Sequence, residues 1–213
     1  MSIEALRTPD DRFADLEDWA YAPRYIEDLE GYEGLRMHYV DEGPADAEHV
    51  FLCLHGEPSW AYLYRKMIPV FTAAGHRVVA PDFFGFGRSD KPVADDAYTF
   101  GFHRGSLMRF IERLDLTKAT LVCQDWGGVL GLTLPMDMPG RFARLLVMNT
   151  AIATGDVPPS KGFMEWRDYV ANTPDFDVAG LMRKAIDGLS EGAAAAYDAP
   201  FPDARHKAGV RRF

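Results

Sequence analysis

A mostly parallel β-sheet with helices on both faces is the architecture this sequence predicts, and three observations carry it. Short apolar runs recur between residues 24 and 148, helical periodicities separate them, and one run breaks at the glycine-marked turn Gln124-Asp125-Trp126-Gly127-Gly128. Strands alternating with helices fold into parallel sheets because each connection must cross back over a face of the sheet.

The elements follow in order. Arg24–Leu29 and Leu35–Val40 read as two short strands joined at Gly31-Tyr32-Glu33-Gly34, a hairpin-like opening. Val50–Leu54 is continuously apolar and stops at His55-Gly56, as a strand buried on both faces would. Ser59–Ala74 has helical spacing, with Leu63, Met67, Val70 and Phe71 on one side and Gly75 as its stop, and Pro69 should kink or shorten it. Arg77–Ala80 is the next strand, Phe102–Leu114 a helix, Thr120–Cys123 a strand, and Leu145–Met148 a further strand after another helix.

The character changes near residue 152. Residues 153–160 are polar and turn-rich, and Lys161–Ala171, Val178–Leu189 and Glu191–Tyr197 are amphipathic helical pieces with no strand among them. The expected division is therefore an α/β core over residues 1–152 and a helical cap over 153–213, laid across the edge where Asp125 emerges. No internal repeat is found.

Composition bounds the function. A chain of 213 residues that is 47% hydrophobic and 26% charged is ordinary globular protein with one sizeable core. A net charge of −9 argues against a nucleic-acid partner, whose phosphates would repel it. No apolar stretch approaches a membrane span and the amino terminus lacks a secretory signal. Cys53 and Cys123, each two residues before a strand-end functional candidate, fit a reducing compartment, so the cytoplasm is expected. No His/Cys/carboxylate cluster has metal-ligand spacing, and neither a metal nor an organic cofactor is expected.

The chemistry concentrates at strand ends. A strand-to-helix turn of the kind at 124–128 lifts one side chain to the carboxyl edge of the sheet, and here that residue is Asp125. A carboxylate so placed can attack saturated or epoxide carbon, forming an ester that water later cleaves. The plainer alternative is an Asp that N-caps the next helix. Leu54-His55-Gly56-Glu57-Pro58 ends at the same edge, where ligands of open α/β sheets bind. Its Glu57 N–H, with that of Trp126, could face a developing oxyanion, or the turn could be structural only. The loop Pro81–Asp90 lacks Gly-Lys-Ser/Thr and reads as rigid packing under the active edge, not as a nucleotide loop.

His55-Gly56-Glu57-Pro58, the Pro81–Asp90 loop with Lys91-Pro92, and Gln124-Asp125-Trp126-Gly127-Gly128, in this order, resemble the haloalkane dehalogenases of the α/β-hydrolase fold. Phe163-Met164-Glu165-Trp166 and Ala199-Pro200-Phe201-Pro202-Asp203 look like the cap of a subfamily with a lid Trp as halide ligand. The resemblance implies Asp125 as nucleophile and Trp126 and Trp166 as halide-binding donors, since an indole N–H donates without accepting. It also implies a pocket formed by Glu57, Val129, Phe163, Phe201 and Pro202. Glu57 stands where some relatives carry a halide-binding Asn, so the second halide ligand should come from the lid, and the Glu57 side chain should help hold the hydrolytic water. Val129 replaces an expected aromatic and should enlarge the pocket.

The implied partners are a short haloalkane, water and a halide ion, with no nucleic acid and no membrane, acting on a monomer. The general-base His and triad acid are expected beyond residue 213, together with the terminal strands: Val147-Met148-Asn149-Thr150 offers no acid, and His38, His49, His55, His76, His103 and His206 read as surface or turn residues. The residues leave two alternatives open. One is an epoxide hydrolase using the same Asp125, with Tyr169 and Tyr197 as candidate proton donors; the other is a non-catalytic ligand-binding relative.

Overall fold

The computed structural model describes residues 3–152 and 154–212. Ala153, where the cap was expected to begin, and Phe213 lie outside the described residues. Strand β1 (Ala5–Leu6) is followed by β2 (Arg24–Ile26), β3 (Met37–Glu42), β4 (Val50–Leu54), helix α1 (Ile68–Ala73), β5 (Arg77–Pro81), β6 (Lys91–Pro92) and α2 (Phe100–Arg113). Then come β7 (Ala119–Gln124), α3 (Trp126–Gly131), α4 (Leu134–Asp137), β8 (Phe142–Met148), α5 (Lys161–Asn172), α6 (Val178–Ala185), α7 (Glu191–Asp198) and α8 (Ala208–Arg212). None of the described helices is long and apolar enough to cross a membrane.

Six strands form one sheet in the order β2-β3-β5-β4-β7-β8. The opening pair is the antiparallel β2/β3 hairpin, with Tyr25 opposite His38. From β5 through β4 and β7 to β8 the pairing is parallel, with Leu54 opposite Cys123 and Gln124 opposite Met148. The carboxyl ends of β4, β7 and β8 therefore lie side by side. In β4 and β7, residues Leu52, Cys53, Leu54, Leu121, Val122 and Cys123 are buried. Burial of each large aliphatic side chain contributes about 1.5–3 kcal/mol, which is why the runs are apolar without alternation. β8 is the outer strand among the described residues, with Leu145 and Val147 exposed.

One expectation is corrected and one pairing is new. Residues 59–74 do not make one kinked helix: a 3₁₀ turn covers Ala61–Tyr64, and Pro69 stands in the first turn of α1. A proline's missing N–H is an orphan there anyway, so the helix starts at it instead of bending around it. The short antiparallel pair β1/β6, joining Ala5 to Pro92, has too few residues to leave a periodic signal and was not anticipated.

The helices after β8 carry legible caps. Ser160 accepts from Phe163 N, Asp177 from Gly180 N and Ser190 from Ala193 N, each worth about 1 kcal/mol. Polar contacts tie this region to the segments that flank the sheet. Trp60 Nε1 donates to Ala196 O at 3.0 Å, Arg65 Nη1 to Tyr197 Oη at 3.1 Å, and Thr8 Oγ1 to Pro200 O at 2.7 Å.

Candidate active site

β7 delivers Asp125 to the sheet edge, and the backbone turns sharply there with φ 52° and ψ −128°. An L residue in that region costs on the order of 1–3 kcal/mol and persists only when its surroundings over-determine it. They do so here. Asp125 N donates to Asn149 O at 3.2 Å, while Asp125 O accepts from Gly128 N at 2.9 Å, Val129 N at 3.1 Å and Thr150 Oγ1 at 2.7 Å. Gly127 allows the turn to close, because a Cβ on it would strike the carbonyls of Leu54 and His55 at the end of β4. The β4 and β7 turns are thereby locked together.

The side chain of Asp125 does not cap α3, which removes the plainer reading of this residue. Instead Oδ1 accepts the backbone N–H of Glu57 at 2.8 Å. Oδ2 has no hydrogen-bond partner among the described residues, so one carboxylate oxygen is anchored and the other is open to react. Above it lies a mostly apolar cavity of about 360 Å³, lined by Asp125, Trp126, Val129, Asn149, Thr150, Ala151, Val157, Pro159 and Phe163. An apolar wall around a carboxylate strips it of the water that would blunt a nucleophile.

The turn after β4 is held from below. His55 is fully buried; its Nδ1 bonds Gly56 O at 2.9 Å and its Nε2 accepts from Phe83 N at 3.0 Å. Burial holds the His55 pKa below its ordinary value, and this pattern of partners requires the neutral ring. The Pro81–Asp90 loop packs under the edge as expected. Buried Asp82 meets His38 Nδ1 at 2.7 Å and accepts from Ala61 N and Arg88 N, each at 2.8 Å. Burial works to raise the Asp82 pKa, yet the charge and hydrogen bond of His38 hold it below the usual carboxylate range.

Of the residues singled out in the sequence, Asp125, Trp126, Val129 and Phe163 line this cavity; Glu57, expected in its wall, does not, and reaches the site through its backbone N–H to Asp125. Trp166 is on α5 three residues beyond Phe163, but it does not line the cavity; its half-buried ring packs against Tyr169 at 6.0 Å and edge-on to Phe176 at 5.9 Å. Phe201 and Pro202 do not line the cavity either: Phe201 is buried edge-on to Phe86, and Pro202 is exposed. The hydrogen bonds from Thr8 and Arg12 to the carbonyls of Pro200 and Ala199 fix that stretch against the amino-terminal segment. The histidines are corrected too. His38 and His103 are buried, not surface or turn residues, and burial pushes the His103 pKa down to about 3. Tyr197 is buried beside Arg65, Tyr169 is exposed, and neither lines the cavity. Asn149 and Thr150 were passed over as cavity residues; their position just beyond β8, beside the Asp125 turn, was the signal that could have found them.

The chain matches the family model of the α/β-hydrolase fold over residues 49–184. It is 50% identical to a haloalkane dehalogenase of Psychrobacter cryohalolentis over 99% of this chain and 70% of that protein. Against haloalkane dehalogenase 1 of Mycobacterium tuberculosis it is 44% identical over 99% of this chain and 71% of that protein. Among solved structures, the haloalkane dehalogenase of Paraglaciecola agarilytica, described as tetrameric, is 57% identical with a TM-score of 0.96, covering 99% of this chain and 71% of that one. An epoxide hydrolase of Vigna radiata, 21% identical with a TM-score of 0.73, shares the fold. An aspartate on the strand-to-helix turn, set in a sheet that superimposes on such enzymes and shares half of its sequence with them, places this chain in the haloalkane dehalogenase family of the α/β-hydrolase fold.

Proposed function

We propose that the protein hydrolyses short haloalkanes to an alcohol, a halide ion and a proton by way of an ester on Asp125. One observation carries this reading: Asp125 presents a free carboxylate oxygen to an apolar cavity while its other oxygen is fixed by the Glu57 N–H. In the first half-reaction Oδ2 attacks the carbon bearing the halogen from behind, the carbon–halogen bond breaks, and the halide leaves with the bonding pair. Trp126, on the cavity wall, donates its indole N–H to the departing ion. Trp166 is the proposed second donor, supported by its place one turn after Phe163 and by the resemblance of the helix that carries it.

In the second half-reaction water attacks the ester carbonyl and gives up a proton, the Glu57 and Trp126 N–H groups serve the resulting oxyanion, and its collapse breaks the bond to the alkyl oxygen, releasing the alcohol and restoring the Asp125 carboxylate. No described histidine lines the cavity, and the base that activates water is not assigned to a described residue. Val129 and Phe163 set the width of the cavity. Electrospray mass measurement after incubation with 1,2-dibromoethane tests the ester: an adduct on Asp125, absent from D125A, supports it. Diol formation from styrene oxide without bromide release from the haloalkane would favour the epoxide reading instead.

The cytoplasm is the proposed location, consistent with two buried, unpaired cysteines. A monomer is the finer proposal for assembly; sedimentation velocity tests it, and a tetramer of the kind described for the Paraglaciecola relative would overturn it.

A further inference from the structure

Glu57 presents two faces to the site. Its backbone N–H holds Asp125 Oδ1 at 2.8 Å, while both of its own carboxyl oxygens are buried with no hydrogen-bond partner among the described residues. Among the described residues no cation acts on it. The charged group that acts on it is Asp125, from the turn after β7, and His55 on its own turn is neutral. α3 (Trp126–Gly131) and the cavity stretch Asn149–Ala151 contribute none. Two carboxyl groups sharing one site do not ionise together, and the one that receives hydrogen bonds takes the charge. Asp125 receives the Glu57 N–H while the Glu57 carboxyl receives no hydrogen bond among the described residues, so the geometry leaves the proton on Glu57. Burial, reinforced by the Asp125 charge, pushes the Glu57 carboxyl well above the usual range.

We propose that Glu57 is held as a neutral acid and that its proton is the condition for the Asp125 cavity to retain a halide ion. The proposal rests on the reading of Trp126 as a halide donor. Once Asp125 is esterified, the halide is the cavity's one negative charge if Glu57 is protonated. If Glu57 ionises, a second negative charge appears in the buried space beside Asp125, where its repulsion of a halide in the adjoining cavity is poorly screened. Halide binding and Glu57 protonation are therefore linked, each favouring the other. Glu57 acts here as a positioning residue for charge, distinct from the role of its backbone N–H.

The test is bromide quenching of indole fluorescence in the protein and in Glu57→Gln, titrated from about pH 5 to about pH 10. The expected result is a bromide Kd that is flat at low pH and then rises about tenfold per pH unit in the wild type, as one linked proton requires, but stays flat in E57Q. A flat wild-type curve overturns the proposal. So does an equal slope in E57Q, which would assign the linkage to another buried group such as Lys91. Absence of quenching in the wild type at every pH overturns the halide-site reading itself, and this inference with it. A thermal melt checks that E57Q folds. Independently of that variant, adding bromide to the unbuffered wild type should draw up to about half a proton per ion bound at the midpoint and approach about one above it, and no uptake there refutes the linkage.

Discussion

Gly56→Ala tests the placement of the nucleophile without touching its chemistry. A Cβ on Gly56 would fall well inside van der Waals contact of Asp125 Cβ and Oδ1, and 2.8 Å from Asp125 Cγ. Ordinary contact begins at 3.4 Å, so the carboxyl group must retreat by about 0.6 Å at Cγ and further at Cβ. The Gly56 backbone itself does not occupy the left-handed region, so the cost falls on its neighbour and not on its own φ. Misplacement of a reacting atom by about 1 Å is worth about 10²-fold in rate, so ester formation in G56A should be slower by about tenfold to a hundredfold. The crowding should cost only about 1–3 kcal/mol of stability, leaving the protein folded. Rapid-quench measurement of bromide released in a single turnover reads the first half-reaction alone, and a thermal melt reads the fold. A folded G56A that releases bromide within about threefold of the wild-type rate would refute the claim that this contact sets the Asp125 position.

Other outcomes follow from the same geometry. Asp125→Ala should abolish bromide release, and retention of even about a tenth of the activity would remove Asp125 as nucleophile. Trp166→Phe should weaken bromide quenching and slow carbon–halogen cleavage; an unchanged titration returns Trp166 to an aromatic packed on Tyr169 and Phe176. Thr150→Val, losing the 2.7 Å bond to Asp125 O, should lower stability by about 1–2 kcal/mol in denaturant unfolding. Buried Lys91, bonded to Gly87 O and Ser89 O, has its pKa pushed down to about 7 by burial. The folded state then binds fewer protons than the unfolded state above about pH 7, so its contribution to stability rises as pH climbs toward the free-lysine value near 10.4. The stability of the wild type relative to Lys91→Met should grow across that window, and a constant difference would show that Lys91 does not titrate there.

Much of the fold was legible because its signals are local and mutually consistent. Val50–Leu54 is continuously apolar and is a strand with those same bounds, since a strand covered on both faces has no reason to alternate. Ser160, Asp177 and Ser190 mark helix starts by the oxygen each offers to an orphan N–H. What the sequence hid were long-range pairings. Nothing in the local pattern of Met37-His38-Tyr39 announces that His38 is buried against Asp82, because the pairing is created by the β3/β5 register and the loop that follows β5. Phe201 and Pro202 were misplaced for a related reason. Their positions are decided by hydrogen bonds from Thr8 and Arg12 near the other end of the chain, which no motif within Ala199–Asp203 encodes.

The site was legible for the opposite reason, as the place where local rules fail. An acidic residue between a buried strand and a glycine pair is poor strand chemistry, and in the folded chain it occupies a left-handed conformation while leaving the adjacent helix uncapped. Three residues past β4, a glutamate buries a carboxyl that has no hydrogen-bond partner among the described residues. Each departure is a liability in a protein selected for stability alone, where an Asn or Gly at 125 and an apolar residue at 57 would relieve it. Both fall at adjacent strand ends and meet through one hydrogen bond, from Glu57 N to Asp125 Oδ1. Coincidence of two such departures at the sheet edge is a stronger pointer to chemistry than either motif alone, because a structural turn needs neither the strain nor the buried acid.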